Sequence, residues 1–293
     1  AIGAVVTPTL ILLILRYADR LAGEGGDTSG SWRTPFLVIG LVGVGWVLLW
    51  FATVPARLLD ESNSPAVSSA AGSARYRDVF ADRRFWALLA VVVAINISWH
   101  TYRVWLPKYL QQVRGKTEED MTAFTTTYYI VADVGSWAVG LATLLLIRRG
   151  LSGHNVRFLA LAACAGLALV SFAVPFAPTG YALWAASLVF AFGALGLFPT
   201  YFALSQELSA KHQGKVTGTL GAGAHLFLAL VVYPVQGVLI KERGWYDWVL
   251  GGAGVFPLLA VGVMLWLWPP RAAVPEPSER AAGDANPPSA PSA

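Results

Sequence analysis

The chain has 293 residues, a formal net charge of +4 and a mean hydropathy of +0.56, with 56% hydrophobic and only 13% charged residues. Soluble domains are about a quarter charged, so this composition excludes an ordinary water-soluble globular protein and indicates a protein of the lipid bilayer. The single cysteine, Cys164, excludes a disulfide framework and a cysteine-based metal site, and we interpret it as a small packing residue.

Apolar runs of about 20 residues, the length that crosses a ~30 Å hydrocarbon core, recur along the chain. Such runs must be helical, because backbone groups left unpaired in lipid are costly and the runs do not alternate as barrel strands do. The predicted fold class is an all-α polytopic membrane protein with about eight membrane helices, the first of them truncated. A short apolar run covers residues 1–15, and the predicted spans are 34–54, 85–107, 122–147, 157–176, 180–203, 216–240 and 247–268.

A polar, Ser- and Ala-rich segment separates two of these helices from the other six. Residues 55–84 read PARLLDESNSPAVSSAAGSARYRDVFADRR, which is typical of a linker. The first run starts at Ala1 without a charged leader, so we interpret it as the end of a helix and the chain as a fragment. We expect residues 1–54 to be the last two helices of an incomplete bundle, residues 55–84 a cytoplasmic linker, residues 85–268 a six-helix bundle and residues 269–293 a disordered Pro- and Ala-rich tail.

The distribution of Lys and Arg predicts the orientation in the membrane. If the loop after span 85–107 lies outside, the linker and the Arg-rich loop at 148–157 lie inside, and the inner segments together carry more Lys and Arg than the outer ones. We therefore expect a multi-pass protein of the cytoplasmic membrane, and we expect it to be a monomer.

The span at 85–107 carries polar residues on one helix face. Asn96, His100 and Arg103 follow the spacing i, i+4, i+7. An arginine within a span costs about 2.5–3.5 kcal/mol on insertion scales and usually faces a bundle interior or a watery cavity. Arg103 could instead snorkel to the outer interface near Pro107. Because His100 and Asn96 lie one and two turns deeper on the same side of the helix, we favour a functional role.

Other polar residues lie within the later spans. Tyr129 and Asp133 share a face of the span at 122–147, where Asp133 is either a hydrogen-bonding bracket or a titrating group. His225 lies near the middle of its span and is either a proton site, a donor to a bound anion or an interhelical hydrogen bond. The Tyr102 hydroxyl is a candidate donor to a substrate. Gln236, close to a proline, suggests a polar contact without specifying a ligand.

Motifs for other chemistry do not occur in the sequence. There is no P-loop, no GxGxxG between a strand and a helix, no HExxH and no paired CxxC, so we predict neither an enzyme nor a bound metal or cofactor. Nucleic-acid binding would need a basic, soluble face that this chain lacks. A channel, a carrier or a membrane scaffold remains.

The sequence resembles the major facilitator superfamily, and within it the anion:cation symporter family, in several segments. FWALLA…NISWHTYRVWLPKYL, YYIVADVGS and LIRRGLS resemble its seventh and eighth helices, SWRTPFLVIGLVGVGWVLLW its sixth helix and GKVTGTLGAGAH the start of its eleventh. The family pattern W-x-x-Y-x-x-W-L-P is matched by Trp99, Tyr102, Trp105, Leu106 and Pro107. The pattern A-D-x-G-S is matched by Ala132, Asp133, Gly135 and Ser136.

The resemblance implies two six-helix halves around a midplane site, with this chain covering the end of the fifth helix to the twelfth. The first four helices, which in the family carry an anion-binding arginine and coupling carboxylates, would then be absent. The family usually has aromatic and aliphatic residues where His100, Thr101 and Arg103 stand, and the added cationic capacity fits an anionic substrate. Gln206 and Glu207 also depart from the family pattern, and we expect them to act at the inner gate.

The functional hypothesis is secondary active transport of a small organic anion, in the first place a sugar acid, with protons or else sodium. Arg103 would orient the carboxylate, His100 and Asn96 would donate hydrogen bonds, and Tyr102 and Tyr129 would shape the pocket. One alternative is a uniporter or antiporter of neutral or phosphorylated sugars. Another is a non-transporting membrane sensor or scaffold built on a carrier fold.

Overall fold

The computed structural model describes residues 2–22, 32–55, 76–208 and 212–268. Throughout this part the secondary structure is helical, without a strand. The predicted tail at 269–293 and most of the predicted linker lie outside the described residues. The helices are α1 Ile2–Ala22, α2 Thr34–Thr53, α3 Asp78–Ala81, α4 Arg83–Gln112, α5 Glu118–Arg148, α6 Gly153–Ala168, α7 Tyr181–Leu208, α8 Gln213–Phe227, α9 Tyr233–Arg243, α10 Tyr246–Gly252 and α11 Val255–Leu267.

Seven helical stretches in the described residues have the length and hydropathy of a membrane span, and they confirm the predicted all-α polytopic fold. Several run past the predicted ends, because the helix continues beyond its apolar part. The helix α4 begins at the N-cap Asp82, whose carboxylate accepts the Arg84 N–H at 2.8 Å, and it continues through Pro107. The helix α5 begins at the N-cap Thr117, whose hydroxyl accepts the Asp120 N–H at 3.2 Å.

Three of the predicted spans are not single α-helices. The span that begins with α6 ends in a 3₁₀ turn over Leu169–Ala173, and a π turn over Leu228–Val232 joins α8 to α9 just before Pro234. The last span is interrupted between α10 and α11. Such changes in hydrogen-bond register leave the chain continuous across the membrane but turn the side chains on either side by an amount that hydropathy cannot predict.

The helix α4 lies at the centre of the bundle and packs against α7, α8 and α11. Its buried side chains divide between two apolar cores, one around Tyr102 and Tyr109 and the other around Phe85 and Val91. The helix α7 packs closely against α5 and α6, and α11 against α4 and α6. Because the central helix meets neighbours on several sides, only part of its circumference is left free of contact with the other described helices.

Large apolar side chains cover much of the outer surface. Trp266 is 78% exposed, Trp137 and Leu230 are each 68% exposed, and the 18-residue apolar stretch of α2 has no buried residue. A contiguous apolar surface of this extent is not stable in water and is satisfied by lipid chains or by further helices. The protein is therefore a multi-pass membrane protein.

Close approach of α5 and α7 depends on glycine at position 135. A Cβ built on Gly135 would lie 2.3 Å from the carbonyl oxygen and 2.7 Å from the Cα of Phe192, so the two backbones are in direct contact there. In a bilayer, where apolar side chains gain nothing by leaving lipid, such backbone proximity is a main source of helix association.

Replacing Gly135 by alanine is expected to lower the free energy of unfolding by about 1–3 kcal/mol, the usual cost of overpacking, because rigid backbone has to move. A Cβ at Gly140 on the same helix meets nothing within 4 Å, so Gly140→Ala is the matched control. That control should be neutral or stabilising by up to about 1 kcal/mol through helix propensity. Thermal unfolding of the complete transporter in detergent measures both, and equal melting temperatures for the two variants would contradict the close packing.

Candidate functional site

Polar side chains from α4, α5, α8 and α9 meet on one side of the bundle. The His100 ring lies 5.4 Å from the His225 ring and 6.4 Å from the Tyr233 ring, with interplanar angles of 78° in both cases. The guanidinium of Arg103, one turn beyond His100, acts electrostatically on His100, Tyr129 and Tyr233. We call these five residues the polar face.

The charge of Arg103 is the main electrostatic feature of the polar face. Arg103 is exposed on the described surface, and the ion pairs found among the described residues involve Arg84, Lys116, Arg157 and His154 as cations and do not include it. A guanidinium has five N–H donors in a fixed fork that matches the two oxygens of a carboxylate. This geometry can therefore bind an anion.

The side chain of His225 is oriented by its own helix. Its Nδ1 lies 2.9 Å from the carbonyl oxygen of Gly221, one turn earlier. Since a carbonyl oxygen only accepts hydrogen bonds, Nδ1 carries the hydrogen and Nε2 is the basic nitrogen of the neutral ring. His225 can therefore accept either a proton or a hydrogen bond at Nε2.

Aromatic packing supports the polar face from behind. The Trp99 ring is stacked on Tyr128 at 5.8 Å and meets the edges of Tyr129 at 5.8 Å and Phe198 at 6.3 Å. Trp99 is buried while Tyr129 is half-buried, so Tyr129 lies at the border between the aromatic core and the polar face. This packing restricts the positions that the Tyr129 hydroxyl can take.

The structure brings together four residues that the sequence singled out, Arg103, His100, Tyr129 and His225, and adds Tyr233. Tyr233 escaped notice because the π turn between α8 and α9 sets its direction, and sequence spacing does not show that turn.

Three further predicted residues, Asn96, Tyr102 and Asp133, lie in packed surroundings. Asn96 is 3% exposed and donates to the Val92 carbonyl of its own helix at 2.8 Å. Tyr102 is 1% exposed, and its ring is stacked on that of Phe190 with the centroids 3.7 Å apart. The Tyr102 side chain is therefore packed in the core, whereas that of its chain neighbour Arg103 is exposed. Asp133 is also buried, one turn beyond Tyr129. Roles for these residues in substrate binding or coupling stay predictions.

A hydrogen-bonded bracket joins α4 to α9 next to the polar face. The Gln236 amide donates to the Thr101 hydroxyl at 2.7 Å, and its carbonyl oxygen accepts the Trp105 indole N–H at 2.9 Å. Thr101 in turn donates to the Ile97 carbonyl at 2.7 Å, so both polar groups of Gln236 are satisfied. The sequence predicted a polar contact for Gln236 but not its partners Thr101 and Trp105.

The two residues predicted at the inner gate differ in their surroundings. Glu207, near the end of α7, accepts a hydrogen bond from Arg157 and lies 3.3 Å from Nδ1 of His154, both on α6. Gln206 beside it is exposed. Glu207 thus ties two neighbouring helices together at this end, and gating by either residue stays a prediction.

The architecture defines a helical membrane protein, and the polar face is its candidate functional site. The chain belongs to the Major Facilitator Superfamily, whose sequence profile matches residues 1–225. The superfamily assignment from the sequence is thereby confirmed.

Curated relatives of the chain are named as transporters of organic anions. It is 27% identical to “Probable sulfoacetate transporter SauU” of Cupriavidus necator, over 96% of this chain and 65% of that protein. It is 24% identical to the hexuronate transporter of Bacillus subtilis, over 79% of this chain and 57% of that protein. The D-galactonate transporter of Escherichia coli is 27% identical over 42% of this chain. The names of these relatives agree with the resemblance to anion:cation symporters.

The bracket between α4 and α9 should be measurable by a double-mutant cycle of Trp105→Phe and Gln236→Leu. Interhelical hydrogen bonds in membranes average about 0.6 kcal/mol and reach about 1.7, so we expect a coupling energy of about 0.5–1.5 kcal/mol. Unfolding of the complete transporter in detergent gives the free energies. As a control, Trp137→Phe on the exposed surface of α5 should combine additively with Gln236→Leu. Additive effects for the Trp105 pair as well would show that the bracket contributes nothing.

Proposed function

We propose that the chain is part of a secondary active transporter that carries a small organic anion, in the first place a sugar acid, together with protons by alternating access. The observation that carries this proposal is the exposed Arg103 guanidinium on a membrane helix, surrounded by two imidazoles and two phenols. A charge within a membrane segment is retained where it has a partner, and a transported anion would be that partner.

Each of the five residues of the polar face would have its own role in binding the substrate. Arg103 would attract the acidic group and orient it through its forked donors, which favour a planar carboxylate. The hydroxyls of Tyr129 and Tyr233 lie near the same guanidinium and would donate hydrogen bonds to oxygen atoms of the substrate. His100 and His225 would add further donors from α4 and α8.

The relatives support the anionic class of substrate. Sulfoacetate, hexuronates and D-galactonate, the substrates named for them, differ in size and in hydroxyl content but share a negatively charged acidic group. A site that all such substrates could use must recognise the acidic group, and a guanidinium does so without reading the rest of the molecule. Proton coupling is our own addition, based on the two histidines beside Arg103.

Alternating access would use the bundle formed by residues 85–268 as one rigid half. The chain spans 65% and 57% of the length of two of its relatives, so we propose that their remaining length corresponds to helices that face the polar face. Rocking of the two halves would expose Arg103 first to one side of the membrane and then to the other. In this scheme, the close contact at Gly135 keeps α5 and α7 together during the movement.

A thermal-shift panel on the purified complete transporter tests the anion site. Sulfoacetate, galacturonate and D-galactonate should stabilise the wild type, whereas glucose and galactose should not. A ligand at about 100 times its dissociation constant stabilises the folded state by about 2.7 kcal/mol. Arg103→Gln should abolish the stabilisation, because the forked cation that holds the acidic group is lost.

The matched control is Lys108→Gln, which removes an exposed cation from the same helix, five residues further along. Lys108 lies over the Trp105 ring at 4.9 Å and outside the polar face, so this variant should respond to the acids as the wild type does. Stabilisation by neutral sugars, or an unchanged response of Arg103→Gln, would contradict an anion site at Arg103.

A further inference from the structure

We infer that the His100–His225 pair is the place where a proton binds together with the anion, so that the pair couples proton and substrate. This inference rests on the proposed function. It adds the residues that carry the proton, and it explains by the charge of Arg103 why the anion and the proton would bind cooperatively. It follows from the contact of the two rings, from the hydrogen bond of His225 and from the position of Arg103.

The two imidazoles come from different helices and are adjacent. Their ring centroids are 5.4 Å apart in an edge-to-face arrangement, with His100 half-buried on α4 and His225 exposed on α8. Histidine is the side chain whose charge changes most readily near neutral pH. Two protonated rings at this distance repel each other, so the pair holds one proton more readily than two.

The hydrogen bond of His225 identifies an atom that can receive the proton. Its Nδ1–H donates to the Gly221 carbonyl at 2.9 Å, which leaves the lone pair of Nε2 free on the neutral ring. Protonation at Nε2 adds one proton and one positive charge and breaks no bond, and Nδ1–H keeps its acceptor in both states. The same backbone contact thus holds the ring before and after protonation.

The charged and titratable groups around the pair explain why anion and proton would bind together. The described helices that meet here contribute Arg103 on α4, Tyr129 on α5 and Tyr233 on α9, and Asp133 is buried one turn beyond Tyr129. Arg103 is permanently cationic, so without an anion it repels a second positive charge on the pair. An acidic group bound at Arg103 cancels this repulsion and attracts the proton.

Linkage makes this effect reciprocal. If the anion favours protonation of the pair, then protonation raises the affinity for the anion by the same factor. With about one proton taken up per anion, the apparent dissociation constant should rise by up to about tenfold per pH unit above the titration of the pair. A site in which the histidines only donate hydrogen bonds would release or bind no proton with the substrate.

The test is a direct measurement of proton uptake on anion binding by the complete transporter in weakly buffered detergent solution. Sulfoacetate, galacturonate and D-galactonate are the probes, a pH-indicator dye reports the protons and calorimetry reports the bound anion. The wild type should take up about one proton per anion bound. His100→Gln and His225→Gln should each lose this uptake and show a dissociation constant that no longer depends on pH.

His212→Gln is the control, because His212 lies at the start of α8 beside Tyr76 and away from the polar face. It should behave as the wild type in every measurement. In proteoliposomes, the two pair variants should lose accumulation driven by a pH gradient to a greater extent than they lose exchange of labelled for unlabelled anion. This separates loss of coupling from loss of substrate binding, which Arg103→Gln should show instead.

Anion binding by the wild type without proton uptake would overturn the inference together with the proton coupling of the proposed function, and would leave only the binding of an organic anion standing. If both pair variants still take up the proton, the inference is overturned and the proposed function stands. If none of the three acids binds to the wild type, the proposed function fails and the inference fails with it. The wild-type measurement needs no substitution, so an absence of proton uptake overturns the inference even if a histidine variant does not fold.

Discussion

The fold depends on one property of the lipid core, which is that it offers no hydrogen bonds to the protein. Every backbone group within the membrane must find its partner in the chain, and this makes the spans helices. The same solvent gives apolar side chains little reason to leave it, so helices associate through backbone proximity and polar contacts instead. Backbone proximity is seen where Gly135 contacts the backbone of Phe192. A polar contact between helices is seen in the Gln236 bracket.

Most polar groups within the bundle obey this constraint by pairing inside the protein. Ser98 donates to the Ala253 carbonyl, and the Ser171 hydroxyl donates to the Gly251 carbonyl at 2.6 Å and accepts the Gly254 N–H at 3.0 Å. These contacts tie the interrupted last span to α4 and to the end of α6. They stabilise the bundle, and the hydroxyls of Ser98 and Ser171 are used in packing.

The polar face differs from these contacts in the pairing of its charge. Arg103, His100, His225, Tyr129 and Tyr233 converge from four helices, and the guanidinium among them has no part in the ion pairs of the described residues. The contrast with the paired Glu207 at the end of α7 is informative, because both are charged and only one is used for packing. Membership of the Major Facilitator Superfamily provides the setting in which such a charge has a use, since its members place their sites between two bundles.

The sequence by itself determined the class of the protein, the number of the major spans and the polar helix face around Arg103. These are local properties, because hydropathy, length and the 3.6-residue period act within one segment. Only the tertiary structure decided which polar residues meet. Tyr102 and Arg103 are neighbours in the chain, yet Tyr102 packs against Phe190 while Arg103 lies close enough to His100 to act on it electrostatically. His225 and Tyr233 join the polar face because the π turn between them and the packing of α8 on α4 set the directions of their side chains. The sequence of a single segment does not predict such packing, because it depends on the side chains of both helices.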